Sequence, residues 1–414
     1  MGMPSDSLTP IEEQKPKALE GIRVLDFSRV LAGPFATMVL ADLGAEVIKI
    51  ESPGRGDETR EWGPPWHGEG QERLSAYYLS VNRNKRSLTL NLKHPEGQAI
   101  ARRLAERSHV LIENMKVGGM ASFGLDYESL RSVNPALVYC SISGFGQDGP
   151  YAERPGYDYV VQAMSGLMSI TGEPQGEPHK VGVAVSDVFT GLFAANAIQA
   201  ALRHAERSGQ GQYVDVNLLE SQLAALVNVA SNVLVSGSDA PRWGNGHPNI
   251  VPYQVFYAAD KPLVVAVGND RQFAALCDLL DCPHLTTDPH FNTNPARVAH
   301  RAELIPLLNE RFKLKDAESW VEGLLALGIP TGPINTVQQA LHDPHVTARG
   351  LVETVTMPDE STLRLVGPPV RLSATPARIE SAPPQVGEHT EHVLREVLGM
   401  TQSDISRLRE QGVV

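Results

Sequence analysis

The stretch "IRVLDFSRVLAGPFATMVLADLGAEVIKIE", residues 22–51, decides the fold. "IRVLDF" (22–27) is a short apolar run of the kind that forms a buried strand. "GPFATMVLADLGA" (33–45) reads as a helix, with Pro34 at its start, where a missing N–H leaves no bond unmade. "EVIKIE" (46–51) is a second strand. Strand, helix and strand at this spacing make a parallel pair joined by a crossover helix. The alternation continues outward. "SLTLNLK" (87–93), "HVLIEN" (109–114) and "ALVYCSIS" (136–143) read as strands, and "EGQAIARRLAERS" (96–108) as an amphipathic helix with Ile100 and Leu104 four apart. The expectation is an α/β protein with a large Rossmann-like domain over residues 19–224. The texture then changes. "RWGNGHPNIVPYQVF" (242–256) is rich in Gly and Pro and reads as a loop or linker. "PLVVAVGN" (262–269) is a strand, and "RQFAALCDLL", "RAELIPLLNERF" and "AESWVEGLLALG" are helices, which predicts a smaller α/β domain over residues 225–330. Residues 331–414 add a strand-like "TLRLVGPPVRLS" and a late helix, "HTEHVLREVLG".

Bulk properties narrow the function. The 414 residues carry a net charge of −12, with 20% charged and 42% hydrophobic residues, an ordinary globular balance. A nucleic-acid partner would want a basic face, so none is expected. Three cysteines, Cys140, Cys277 and Cys282, make no disulfide framework and suit a reducing compartment. No apolar run reads as a membrane span. Residues 1–18 are polar and contain acids, unlike a secretory signal or a transit peptide; they read as a flexible tail on a cytoplasmic protein.

Several motifs fall away on inspection. The turn "LAGPFA" has a single glycine, so Glu51, although placed like a ribose-binding acid, has no dinucleotide loop to go with it. Cys277, Cys282, His284 and His290 do not follow a zinc spacing, and no metal site is expected. H-E-x-x-H, P-loop and G-x-S-x-G patterns are missing. Two basic stretches could take an anion or could be plain solvated turns: "ESPGRGDETR" (51–60), with Arg55 and Arg60, and "SVNRNKRSLTLNLK" (80–93), with Arg83, Lys85, Arg86 and Lys93. The stretch that stands out is "VGVAVSDVFTG" (181–191). Small apolar residues stop at Asp187, and a long helical pattern follows. Asp is a preferred N-cap. The same corner suits a nucleophile, ionised by the helix dipole and approachable past Gly182 and Gly191.

"LEGIRVLDFSRVLAGPFATMVLADLGAEVIKIE", "NRNKRSLTLNLKHPEG", "RPGYDYVVQAMSGLMSITG", "SDVFTG", "GQGQYVDVNLLESQ" and "GEHTEHVLREVLG" together resemble the family III CoA-transferases, the group containing formyl-CoA transferase and carnitine CoA-transferase. The resemblance runs from about Leu19 to Val414. Within the family, "YYLSVNRNKRSLTLNLK", "RWGNGHPNIVPYQVF" and "VGNDRQFAALC" are most similar to the succinyl-CoA:glutarate CoA-transferases. It implies a large domain built from both chain ends, so that residues 331–414 return to the first domain, and an interlocked homodimer. It makes Asp187 the nucleophile, which attacks an acyl-CoA through a mixed anhydride and an aspartyl-CoA thioester. Succinyl-CoA is the implied donor and a dicarboxylate such as glutarate the acceptor. CoA thioesters are substrates, and no cofactor is permanently bound.

The resemblance also assigns residues. Gly244 and Gly246 of "WGNGHP" would cover the reaction and steady an oxyanion through backbone N–H groups. Val30, Ala32, Leu90, Lys93, Asn114, Met115 and Tyr157 match CoA-contacting positions. Arg29 replaces a histidine of formyl-CoA transferase, and Ser52 and Ser122 stand where it has arginines, so the phosphates fall to Arg55, Arg60, Arg83 or Arg86. Apart from the resemblance, a dicarboxylate acceptor's free end wants a cation or polar clamp, which Arg242 or His247 beside the glycine loop would supply. Two alternatives stay open. An α-methylacyl-CoA racemase-like isomerase needs a second proton-transfer group, and "GYD" (156–158) offers Tyr157 where that enzyme has histidine; the phenol, with a pKa near 10, is a poor base at neutral pH. A non-catalytic acyl-CoA-binding protein would bind without turnover.

Overall fold

The computed structural model describes residues 15–70 and 73–414. Its contacts divide into two units. The first takes the chain up to Ser165, then Gly182–Val227 and Arg349–Val414; the second takes Gly166–Val181 and Asn228–Ala348.

The first unit is built on six strands: β1 (Arg23–Asp26), β2 (Glu46–Glu51), β3 (Lys85–Thr89), β4 (Val110–Glu113), β5 (Val138–Ser143) and β6 (Tyr213–Asn217). Their order is β3-β2-β1-β4-β5-β6, and every neighbouring pair is parallel. This is the doubly wound order, in which the chain reverses direction between β1 and β4. Alternate side chains serve opposite faces. Leu25, Ile48, Leu88 and Leu111 enter one core, with the helix Pro95–Ala105. Val24, Val47, Val110 and Val138 enter another, with the helices α1 (Ala32–Asp42) and Val185–Ser208. A sheet covered on both faces needs apolar residues at successive positions, which is why "IRVLDF" and "EVIKIE" read as continuous runs.

The chain ends close this unit. Val393, Leu394 and Val397 of the helix Thr390–Leu398 and Ile405 and Leu408 of Gln402–Glu410 join the first core. Thr89 N–H donates to Thr390 Oγ1 at 3.0 Å across 301 positions of sequence. Of the expected flexible tail, residues 1–14 lie outside the described residues. Residues 15–18 are tied down: Lys17 pairs with Glu380 at 2.5 Å, and Arg378 donates to Lys15 O. The helix Val185–Ser208, not foreseen as a membrane candidate, is long and apolar enough to cross a bilayer by length and composition alone; it packs Ala194, Ile198 and Ala201 into the sheet core.

The second unit has a three-stranded antiparallel sheet of Tyr253–Tyr257, Pro262–Ala266 and Thr331–Pro333. Phe256, Leu263, Phe273, Leu276, Leu308 and Trp320 pack its core. Its limits differ from the expected 225–330. The strand at 331–333 pairs with Pro262–Ala266, which carries the unit on to Ala348. Gly166–Val181 joins it because Arg242 donates to the carbonyls of Ser169, Glu173 and Gly176. The expected loop 242–256 ends inside a strand.

Candidate active site

The carboxyl ends of β1 and β4 flank the point where strand order reverses, where doubly wound folds open a crevice for ligands. Asn114, just past β4, bridges to the turn after β1. Its side chain accepts from Arg29 N–H at 2.9 Å and donates to Arg29 O at 2.8 Å. The turn that follows holds Val30 at φ 69°, a left-handed conformation that strains a β-branched residue. Met115 N–H donates to buried Glu113 at 2.7 Å. Burial pushes Glu113 up to about 7, against its bonds from Ser141 and Met115.

A cavity of about 650 Å³ opens at this edge, lined by Arg29, Val30, Ala32, Asn114, Met115, Tyr157 and Asp187. Seven of the residues expected at the site thus meet in one place. A second cavity, of about 670 Å³, lies over the carboxyl ends of β1, β2 and β3, and takes in Arg29, Arg55, Leu90, Lys93 and Met115. Leu90 and Lys93 were expected on the third strand; it ends at Thr89, so they sit in the loop beyond it. The two cavities share Arg29, Glu58 and Met115. The Arg29–Glu58 ion pair, 2.9 Å long, marks where they meet.

Asp187 is not an N-cap. The helix Val185–Ser208 is capped at Ala184, whose side chain makes no cap bond, and Asp187 is its third residue. The capping carboxylate comes from elsewhere: Asp158 Oδ1 accepts Ser186 N–H at 2.9 Å, while Oδ2 accepts from Gln162 at 2.7 Å. Asp187 is left to receive the N–H of Ala32, at the start of α1. The two helices approach this closely because of Gly191, where a Cβ would stand 2.7 Å from Ala32 O. The helix dipole does not dominate Asp187. Burial first, and the neighbouring Asp158 second, raise it to about 7; Ala32 N–H works against them. Against the expectation that the helix dipole keeps Asp187 ionised, burial and the Asp158 charge favour its protonated form. Burial and the same two aspartates push Tyr77 to about 12.

Five of the expected site residues are engaged elsewhere. Arg60 is buried: it pairs with Glu51 at 2.7 Å, donates to Pro384 O, and lies over the Tyr78 ring. Arg83 is buried on Asp42 at 2.6 Å and donates to Val366 O. Both guanidinium groups brace the scaffold; of the other two expected phosphate ligands, Arg55 is exposed and Arg86 pairs with Glu46 at 2.8 Å. In the second unit, Arg242 is bound to its three carbonyls, at 2.7–3.1 Å, and holds backbone instead of a substrate carboxylate. His247 is kept below its ordinary pKa by burial and by Arg301, and its Nδ1 accepts Asn249 N–H, so it is a poor cation. Gly244 takes the left-handed φ of 58° in the same unit. Gly246 N–H donates to Trp243 O at 2.9 Å, closing a turn, and is not available as an oxyanion donor.

Asp158, Tyr77 and the Lys49–Asp57 pair under the crevice escaped the sequence reading. Asp158 stood in the quoted "GYD", but no local pattern shows that it caps a helix 28 residues away.

A model of CoA-transferase family III matches residues 19–390. The chain belongs to that family. It is a CoA-transferase by this measure and by its relatives. A succinate–glutarate CoA-transferase from Agrobacterium fabrum is 49% identical over 94% of this chain and 98% of its own length. A succinyl-CoA:glutarate CoA-transferase from Homo sapiens is 46% identical over 96% of this chain and 90% of its own. A crystal structure of a CAIB/BAIF family protein from Brucella suis shares the fold with a TM-score of 0.82, at 45% identity over 92% of this chain and all of that one.

Proposed function

We propose that the protein moves CoA from succinyl-CoA to a dicarboxylate, with glutarate as the first acceptor to test, through covalent intermediates on Asp187. The observation that carries this reading is a carboxylate freed from capping by Asp158, set at the strand-order reversal, and served by one backbone donor. The relatives' names support the two acids and favour transfer over racemisation.

The ionised Asp187 attacks the succinyl thioester carbonyl, giving a mixed anhydride and CoA thiolate. The thiolate attacks the aspartyl carbonyl, releases succinate and leaves an aspartyl-CoA thioester. Glutarate attacks that carbonyl, forming a second anhydride and freeing the thiolate again. The thiolate takes the glutaryl group and restores Asp187. Covalent catalysis replaces one hard exchange by four acyl transfers of similar difficulty. Each attack on the aspartyl carbonyl puts negative charge on its oxygen, and Ala32 N–H is the donor placed to receive it. Asp158 makes Asp187 more basic and so a stronger nucleophile once ionised. CoA would run along both cavities, with its phosphates on Arg29, Arg55 and Lys93. Arg29 would then leave Glu58 for phosphate.

We also propose a homodimer. Phe189, Leu192 and Phe193 expose 37%, 46% and 44% of their surface along one helix, an apolar stripe that a second subunit would cover.

The test is direct. The purified protein is mixed with succinyl-CoA and, separately, glutarate, itaconate, malate, oxalate and carnitine, and the CoA thioesters are resolved by mass. A new thioester that disappears in Asp187→Ala supports the reading. Transfer that survives in Asp187→Ala, or no new thioester with any acid, overturns it.

A further inference from the structure

The second unit carries a cluster that its sequence spacing hides. His290 lies in the loop after Leu285, His300 between the helices Asn294–Ala299 and Arg301–Phe312, and Glu303 in the first turn of the latter. The two imidazoles stack with ring centres 4.1 Å apart and planes 5° from parallel. His290 Nδ1 is 3.2 Å from Glu303 Oε2. One donor atom from each of the three residues lies within 4.8 Å of the other two.

Three features point beyond a chance surface group. First, His300 Nδ1 lies 2.9 Å from Ala296 O and donates to it. That bond selects the tautomer with a lone pair on Nε2, the outer-hydrogen-bond arrangement that orients metal-binding histidines. Second, the His290 loop is anchored. His290 N–H donates to Asp288 at 2.8 Å, Phe291 is buried, and the buried Arg297 donates to Phe291 O at 2.9 Å. Third, the nearby cations are turned away. Arg297 pairs with Asp270 at 2.7 Å, and Arg301 donates to the carbonyls of His247 and Pro248.

We propose that His290, His300 and Glu303 bind a divalent transition-metal ion, with Zn²⁺ the best match to two neutral imidazoles and one carboxylate. Such ligands hold zinc at about 2.0–2.2 Å, with water completing the shell. The rings must turn out of their stack to converge on the ion. His290 and Glu303 side chains, 54% and 57% exposed, are free to do so. The bound ion would pin residues 288–292 to the helix Arg301–Phe312, a structural cross-link unrelated to acyl transfer.

The test uses the untagged full-length chain, stripped with chelator and titrated with ZnCl₂ by calorimetry. One saturable equivalent is expected, with a rise in Tm. His290→Ala, His300→Ala and Glu303→Gln should each weaken binding by about tenfold or more, since even outer-shell partners contribute that much. Cu²⁺ in the same protein should give an electron paramagnetic resonance signal split by imidazole nitrogens, simplified in His290→Ala, whose exposed position leaves the fold intact. No saturable Zn²⁺ binding, or binding of equal strength in all three variants, overturns the proposal.

Discussion

Two groups of aspartates lie near one sheet edge and are treated in opposite ways. Beneath β1–β3, Asp26, Asp57, Lys49 and Lys85 are almost completely buried, and each acid has a cation: Lys49 reaches Asp57 at 2.9 Å and Lys85 reaches Asp26 at 3.4 Å. Burial pushes Asp57 up, but Lys49 and the Thr59 bonds outweigh it and bring it down to about 2. Burial takes Lys85 down to about 7 despite Asp26. In the crevice, Asp187 has a second acid for its neighbour and, among the described residues, only Ala32 N–H lowers its pKa. The lesson is that burial alone does not mark a reactive acid. An acid matched by a buried cation braces the fold; an acid left with a like charge is held ready to react.

This contrast can be broken in order of effect. Asp187→Asn should lower transfer by about 10⁴-fold or more, the scale of losing a covalent nucleophile, measured by single-turnover thioester exchange. It should also raise Tm, and more at pH 8 than at pH 5. A raised carboxyl favours the protonated folded state, so stability is lost as pH climbs from 3.8 toward 7, and the amide is spared that loss. Asp57 behaves oppositely: its contribution is full above 3.8 and fades as pH falls toward 2. Lys49→Met leaves buried acids uncompensated and should cost about 3–5 kcal/mol in urea unfolding. Gly191→Ala forces its Cβ toward Ala32 O and separates Asp187 from its donor. A displacement near 1 Å should lower kcat by about 10²-fold, with folding retained by circular dichroism. The smallest effect sharpens the comparison most. Asp158→Asn keeps an oxygen for Ser186 N–H but removes the like charge, so the rise of kcat/KM with pH, centred near 7, should move to lower pH.

Much of the scaffold was legible because its signals are local. "EVIKIE" became β2 with the same limits, and "RAELIPLLNERF" became a helix from Arg301 to Phe312. The position of Asp187 at a helix start was legible too, though not its place within the first turn. What escaped were choices made by distant partners. Arg60, in a loop with two glycines, and Arg83, in a basic run, look like anion ligands until Glu51 and Asp42 claim them. The 166–181 segment reads as a continuation of the first domain until Arg242 gathers its carbonyls. His300 and Glu303 carry no recognisable spacing from His290, because the turn at Asp288 brings them together.

The bond from Thr89 to Thr390 also governs how the protein is made. β3 leaves the ribosome 301 residues before the helix that covers it, and at about 5–20 residues per second that interval is roughly 15–60 s. Until then the part of this core that Val393, Leu394 and Val397 close, Leu88 among it, lacks that cover, a surface that chaperones bind and that aggregation exploits. A stop codon placed only in the last helices would therefore remove a lid from an otherwise complete sheet and send the product to degradation, with Asp187 and its surroundings still present.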